Sequence, residues 1–148
     1  MESNTDGQRK NLEVLGNELT KIQFDFKIIN NPSEKYWIKR IDEFERYHKK
    51  TIEYFSQAYS LMIDVDKEQA GMFLLRISKL KQLGVKLLEN MEEIRKTPSI
   101  MNVKDKQQSK WSLEQKDLLM NTNEECLNHE KKMNLLFREF CEKKLKQN

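Results

Sequence analysis

Apolar residues recur along this chain at alternating steps of three and four. Leu12, Leu15, Leu19, Ile22, Phe26 and Ile29 form the first series, and its steps of 3, 4, 3, 4 and 3 trace a coiled-coil a/d seam. A strand does not satisfy that spacing, because its side chains alternate with period two. Little interrupts the pattern. The chain of 148 residues holds 4 Gly and 2 Pro, where average usage would give about 18 of the two together. Turns are built largely from those residues, so the sequence predicts few turns and long elements. A β-sandwich or barrel needs a turn about every 8–12 residues and is excluded. A doubly wound α/β fold, with its Gly-rich crossover loops, fits equally poorly.

The series continue down the chain. Residues 1–8 are polar and are expected to be disordered. Asn30-Asn31-Pro32-Ser33 ends the first helix, because a residue before Pro disfavours the α region. Ser33 or Asn31 is placed to cap the next helix. That helix is expected over 34–62, with a stripe of Trp37, Ile41, Phe44, His48, Ile52, Phe55, Tyr59 and Met62. Two successive steps of four meet at His48, an irregularity that locally unwinds a coiled coil. Asp64-Val65-Asp66 reads either as a break with a new N-cap or as a segment the helix passes through. Phe73, Ile77, Leu80, Leu87, Met91 and Ile94 extend the stripe, and Gly84 falls on it, admitting a close neighbour or marking a weak point. Thr97-Pro98 closes this part. The last helix is expected over 104–146, on a thin stripe of Trp111, Leu118, Cys126, His129, Met133, Leu136 and Phe140 interrupted by Gln115 and Thr122. The organisation is therefore a helical region over 9–98, with breaks near 30–33 and 64–66, and a long C-terminal coiled-coil helix within 99–148.

Composition decides how these helices pack. Apolar residues are 37% of the chain and charged residues 34%, against a usual apolar share of about 45–50%. Narrow stripes on charged helices imply an all-α fold, either coiled coils or an extended helical bundle whose core partner chains complete. The formal net charge is only +3, and neither half forms a basic arm, so a nucleic-acid interface is not expected. No apolar run approaches the roughly 18 residues of a membrane span, and the N-terminus lacks the pattern of a secretory signal. Two cysteines, Cys126 and Cys141, are too few for a disulfide framework. A soluble cytosolic chain is expected.

Candidate chemistry is sparse. Glu45 and His48 match the Glu-x-x-His spacing of di-iron bundles, but that chemistry needs a second such motif and none is present. Cys126 and His129 have the spacing of half a zinc site, while Cys141 lies nearly four turns away. Asp64-Val65-Asp66-Lys67-Glu68 begins like a calcium loop, yet Gln69 stands where the turn needs Gly and Leu75 where the bidentate acid belongs. Phosphate-cradling loops and nucleophile elbows are absent. The expectation is no enzyme, no catalytic or metal residue and no cofactor, with His48, Cys126 and His129 as seam residues. Phe24, Tyr36, Tyr47, Tyr54 and Phe137 lie off the seams and would widen the buried face.

The last helix also carries a longer pattern. Trp111 is followed eighteen residues later by His129, then by Lys131, Met133, Leu136, Phe140 and Glu142. This resembles the C-terminal helix of the Muted protein family, subunit five of the biogenesis of lysosome-related organelles complex one. That family has the same Trp-to-His interval and a His-x-Lys-x-Met-x-x-Leu-x-x-x-Tyr-x-Glu run. Phe140 stands in place of the Tyr, keeping the ring and losing the hydroxyl. Leu15-Gly16 with Glu18-Leu19, and Tyr36-Trp37-Ile38-Lys39 before Asp42-Glu43-Phe44-Glu45, resemble the family's earlier segments with small gaps between blocks. Residues 62–101 share only helical character with it.

The resemblance implies a non-enzymatic subunit of an elongated cytosolic assembly of helical subunits. Such an assembly acts peripherally at endosomal membranes, sorting cargo toward organelles such as pigment granules, and engages adaptor coats and membrane-fusion proteins. The periodicity supplies the candidate partner strips: Leu12, Leu15, Leu19, Ile22 and Phe26; Trp37, Ile41 and Phe44; and Trp111, Leu118, His129, Met133, Leu136 and Phe140. The alternative is a self-contained four-helix bundle acting as a binding or adaptor module.

Overall fold

The computed structural model describes residues 2–21, 33–96 and 110–145. They form an all-α bundle of four helices: α1 (Glu2–Lys21), α2 (Glu34–Ile63), α3 (Lys67–Lys96) and α4 (Lys110–Phe140), the last running into a π-turn over Cys141–Leu145. Helix α1 begins at Glu2, taking in the polar residues expected to be disordered. The segments 22–32 and 97–109, with the break expected at 30–33 and the start expected for the last helix, lie outside the described residues.

Pairings between helices give their directions. Lys50 of α2 meets Glu18 of α1 at 2.8 Å, and Leu12 packs nearer the far end of α2, in one cluster with Phe55 and Met62. Arg95, at the end of α3, reaches Glu34, at the start of α2, while Phe73 meets Phe55. Asn90 contacts Gln115 and Arg76 contacts His129. Each consecutive pair is therefore antiparallel. Helices α2 and α4 then run parallel, and Tyr47 and Tyr54 face Glu130 and Phe137 one heptad apart on both.

Local chemistry sets the helix starts. The Ser33 hydroxyl accepts from the Tyr36 N–H at 3.2 Å, capping α2. Between α2 and α3 the chain does break: Val65 and Asp66 donate back to the Met62 carbonyl, closing a turn. The Asp66 carboxylate accepts from the N–H groups of Glu68 and Gln69, both at 3.1 Å. Asp66 is thus the N-cap of α3, satisfying two donors that every helix start leaves open.

Packing corrects the expected stripes. The buried face of α2 includes Trp37, Ile41, Phe44, Thr51, Phe55, Ala58 and Met62. With half-buried His48, that face is an unbroken heptad; the irregularity expected at His48 disappears because Thr51, not Ile52, takes the inner position. The face of α3 holds Ala70, Phe73, Ile77, Leu80, Gly84, Leu87, Met91 and Ile94, as its spacing predicts. On α4 the buried positions are Leu119, Thr122, Cys126, Glu130, Met133, Phe137 and Phe140. The two steps of four occur here, around Cys126 and Glu130.

The core has two apolar clusters. One, at the α2–α3 turn, joins Leu12, Phe55, Leu61, Phe73, Leu80 and Phe137. The other joins Trp37, Ile41, Phe44, Leu87, Ile94 and Leu119. Small side chains occupy several inner positions of this core. Ala58, Ala70, Gly84, Thr51 and Thr122 let the helices approach, so fewer large residues fill the space.

Gly84 is the tightest of these. A Cβ there would overlap the imidazole of His48, which itself stacks on Phe44 with ring centroids 5.3 Å apart. Gly84→Ala is expected to destabilise the bundle by about 1–3 kcal/mol through overpacking. In the His48→Ala background the same substitution should recover most of that loss, measured by urea denaturation as a double-mutant cycle. Asp66→Ala should cost about 1 kcal/mol by the same assay, through loss of the cap.

Candidate functional site

Between the two apolar clusters lies a layer of polar side chains. Tyr47 donates its hydroxyl to Glu130 Oε2 at 2.8 Å, and the Thr51 hydroxyl donates to the Tyr47 carbonyl at 2.9 Å. Glu130 is only 7% exposed. Burial pushes its carboxyl up to about 7, against the smaller opposing effect of the Tyr47 hydrogen bond. Burial and the nearby Glu130 raise the Tyr47 phenol. Burial, then the charges of Glu130 and Glu125, push the Cys126 thiol up to about 12. A thiol held above its ordinary range is a weaker nucleophile. His48, beside Gly84, is held below the ordinary histidine range by desolvation.

These side chains do not converge on a reacting centre. Among the described residues, no three His, Cys, Asp or Glu side chains group as a metal site. Glu45 is exposed while His48 turns inward. Cys126 sits in the Trp37 cluster, Cys141 packs against the Phe55 cluster, and His129 Nε2 lies 2.8 Å from the Arg76 carbonyl. The arrangement fixes helix register: Tyr47 with Glu130 aligns α2 and α4, and Asn90 Nδ2, donating to Gln115 Oε1 at 2.7 Å, aligns α3 and α4.

The candidate partner strips divide by location. Leu12, Trp37, Ile41, Phe44, Met133 and Phe140 are buried in the chain's own bundle. Neighbouring helices of the same chain pack against them. Leu15, His129 and Leu136 are half-buried. Leu118 points outward, 38% exposed, and its neighbour Leu119 takes the inner position. Ile22 and Phe26 lie outside the described residues, as do the side chains of Leu19 and Trp111.

Sequence reasoning missed Leu119, Thr51, Ala58, Thr122 and Glu130. A signal for Leu119 was present, since one heptad back from Cys126 lands on it. Glu130 likewise lies one heptad before Phe137, but a charged residue is not an expected core choice.

What the bundle leaves uncovered is apolar. Met72, Leu75 and Val85 of α3 are 58%, 73% and 54% exposed, and Leu135 of α4 is 52% exposed. Met120 and Leu127, one heptad apart on α4, are exposed too. A groove of about 260 Å³ opens between the start of α3 and the end of α4. No helix among the described residues is long and apolar enough to cross a membrane. The fold is a helical bundle that carries these apolar side chains and this groove on its surface. No protein-family model, curated protein or solved structure matches the chain.

Glu130 gives the layer a pH signature. Its carboxyl holds a proton to higher pH in the folded chain than at its ordinary value of 4.5. The folded state then binds more protons than the unfolded state, so this group's contribution falls as pH rises from about 4.5 to about 7 and is level above that. Relative to Glu130→Gln, the native chain should lose on the order of 3 kcal/mol across that window, read from urea midpoints at its two ends. A constant difference between the two proteins would show that Glu130 is not buried as described.

Proposed function

We propose that this chain is a non-enzymatic helical subunit of a cytosolic assembly for lysosome-related organelle biogenesis and endosomal cargo sorting. The observation that carries the reading is the set of large apolar side chains left exposed on α3 and α4. Large apolar residues on a charged surface are stabilised when another chain covers them. The biological address rests on the resemblance of α4 to the Muted protein family through Trp111, His129, Lys131, Met133, Leu136, Phe140 and Glu142. Its partners are other helical subunits of the same complex, with adaptor coats and membrane-fusion proteins engaged by the whole. The subunit associates with endosomal membranes from the cytoplasmic side, through those partners.

A second reading is favoured by one observation: two apolar clusters are built from the chain's own helices, one from all four and one from α2, α3 and α4. This reading is a self-contained bundle acting as a binding or adaptor module. Affinity purification of the tagged full chain separates the two. Assembly predicts stoichiometric recovery of sister helical subunits. Leu127→Asp with Leu135→Asp should weaken that association by roughly thirtyfold or more, each charge costing about 1–3 kcal/mol, while thermal melting is unchanged. Undiminished recovery removes this face as the interface. A compact monomer that brings down no helical subunit supports the module instead.

A further inference from the structure

We propose that the groove between the first turns of α3 and the last turns of α4 is a docking site for an acidic amphipathic helix of a partner protein. Each wall is one face of a helix. On α3 the wall is Gln69, Met72, Phe73 and Arg76, and on the α4 side it is Leu136, Glu139, Phe140 and Lys143. Both sets have the spacing i, i+3, i+4, i+7, and the two helices run antiparallel. A third helix lying in such a cleft meets matching ridges along about 10 Å, or two turns.

The floor is apolar and the rim is basic. Phe73, Phe140 and Met62 are buried beneath the groove, while Met72 is 58% exposed at its edge. Unbranched methionines adapt their shape to an incoming side chain. The volume of about 260 Å³ falls below the roughly 300–1,000 Å³ of small-molecule pockets, and suits apolar anchor side chains better than a cofactor. Arg76, Lys143 and Lys144 stand around it against the single acidic Glu139. Lys144 leans toward Asp66 at 3.9 Å. Among the described residues, neither the Arg76 guanidinium nor the Lys143 ammonium has an ion-pair partner. A helix with apolar residues on one face and Glu or Asp flanking them satisfies both floor and rim. At this end α4 also opens into the π-turn that carries Lys143 and Lys144, a feature that recurs at functional sites.

The inference rests on the reading of the chain as an interaction subunit and names the chemistry of one partner segment. A display library of short helical peptides, selected against the full chain, tests it. Enriched peptides should carry net negative charge and apolar residues at i, i+3 or i+4, and i+7. Their affinity by fluorescence anisotropy should fall roughly tenfold in Arg76→Glu with Lys143→Glu, with the melt unchanged. Exchanging the peptide's Glu for Lys should restore binding to that double variant. Several results overturn the proposal: no enrichment, enrichment of neutral or basic peptides, or affinity indifferent to the double variant. Binding to phosphatidylserine vesicles in preference to peptides also overturns it, as does a dimer that Met72→Glu dissolves. Absent enrichment with normal recovery of sister subunits would remove the groove and leave the assembly reading standing. Failed recovery with peptide binding intact would do the reverse.

Discussion

The bundle turns on the close approach of α2 and α3 at its middle, where the His48 ring lies over Gly84. Two helices that touch this closely have little freedom to slide. On one side of the contact, Phe44, Ile41 and Trp37 meet Leu87, Met91 and Ile94; on the other, Phe55 meets Phe73. The hydrogen bond from Tyr47 to Glu130 adds α4 at the same level. Burying a carboxyl is costly, and a single hydrogen bond does not fully offset the cost. What it supplies is register: a shift of α4 would leave Glu130 buried without its donor, which is worse than the native arrangement.

That division of labour separates stability from contact. Residues at the heptad positions of α2 and α3 pack within the chain. The exposed apolar residues follow a weaker pattern, with Leu75, Val85 and Leu135 each more than half exposed. The chain's apolar content is low, at 37%. It allows a narrow core built around small residues, with enough apolar surface left over for a partner to cover.

Much of the fold was legible in the spacing. The steps through Phe73, Ile77 and Leu80 mark the inner face of α3, and Asp66 has the residue type and position of a cap. The thin stripe of α4 was harder to read. Leu118 and Leu119 are adjacent and chemically identical, so only the phase of the helix against its neighbours separates them. Thr51 and Glu130 occupy core positions for which polarity argues the other way, and their burial depends on partners 4 and 83 residues distant. The groove was not legible, because its walls come from segments about sixty residues apart.

By itself the sequence determined long helices and the inner face of α3, since 3.6 residues per turn links spacing directly to side. It also placed Gly84 on a buried stripe, without naming the neighbour that needs it. Only the tertiary structure decided that the seams close upon one another within the chain, which leucine of α4 turns inward, and that Glu130 lies under cover beside Tyr47. Those outcomes depend on contacts between residues remote in sequence. Such contacts are fixed by how four helical surfaces fill a shared space, not by the pattern along any one of them.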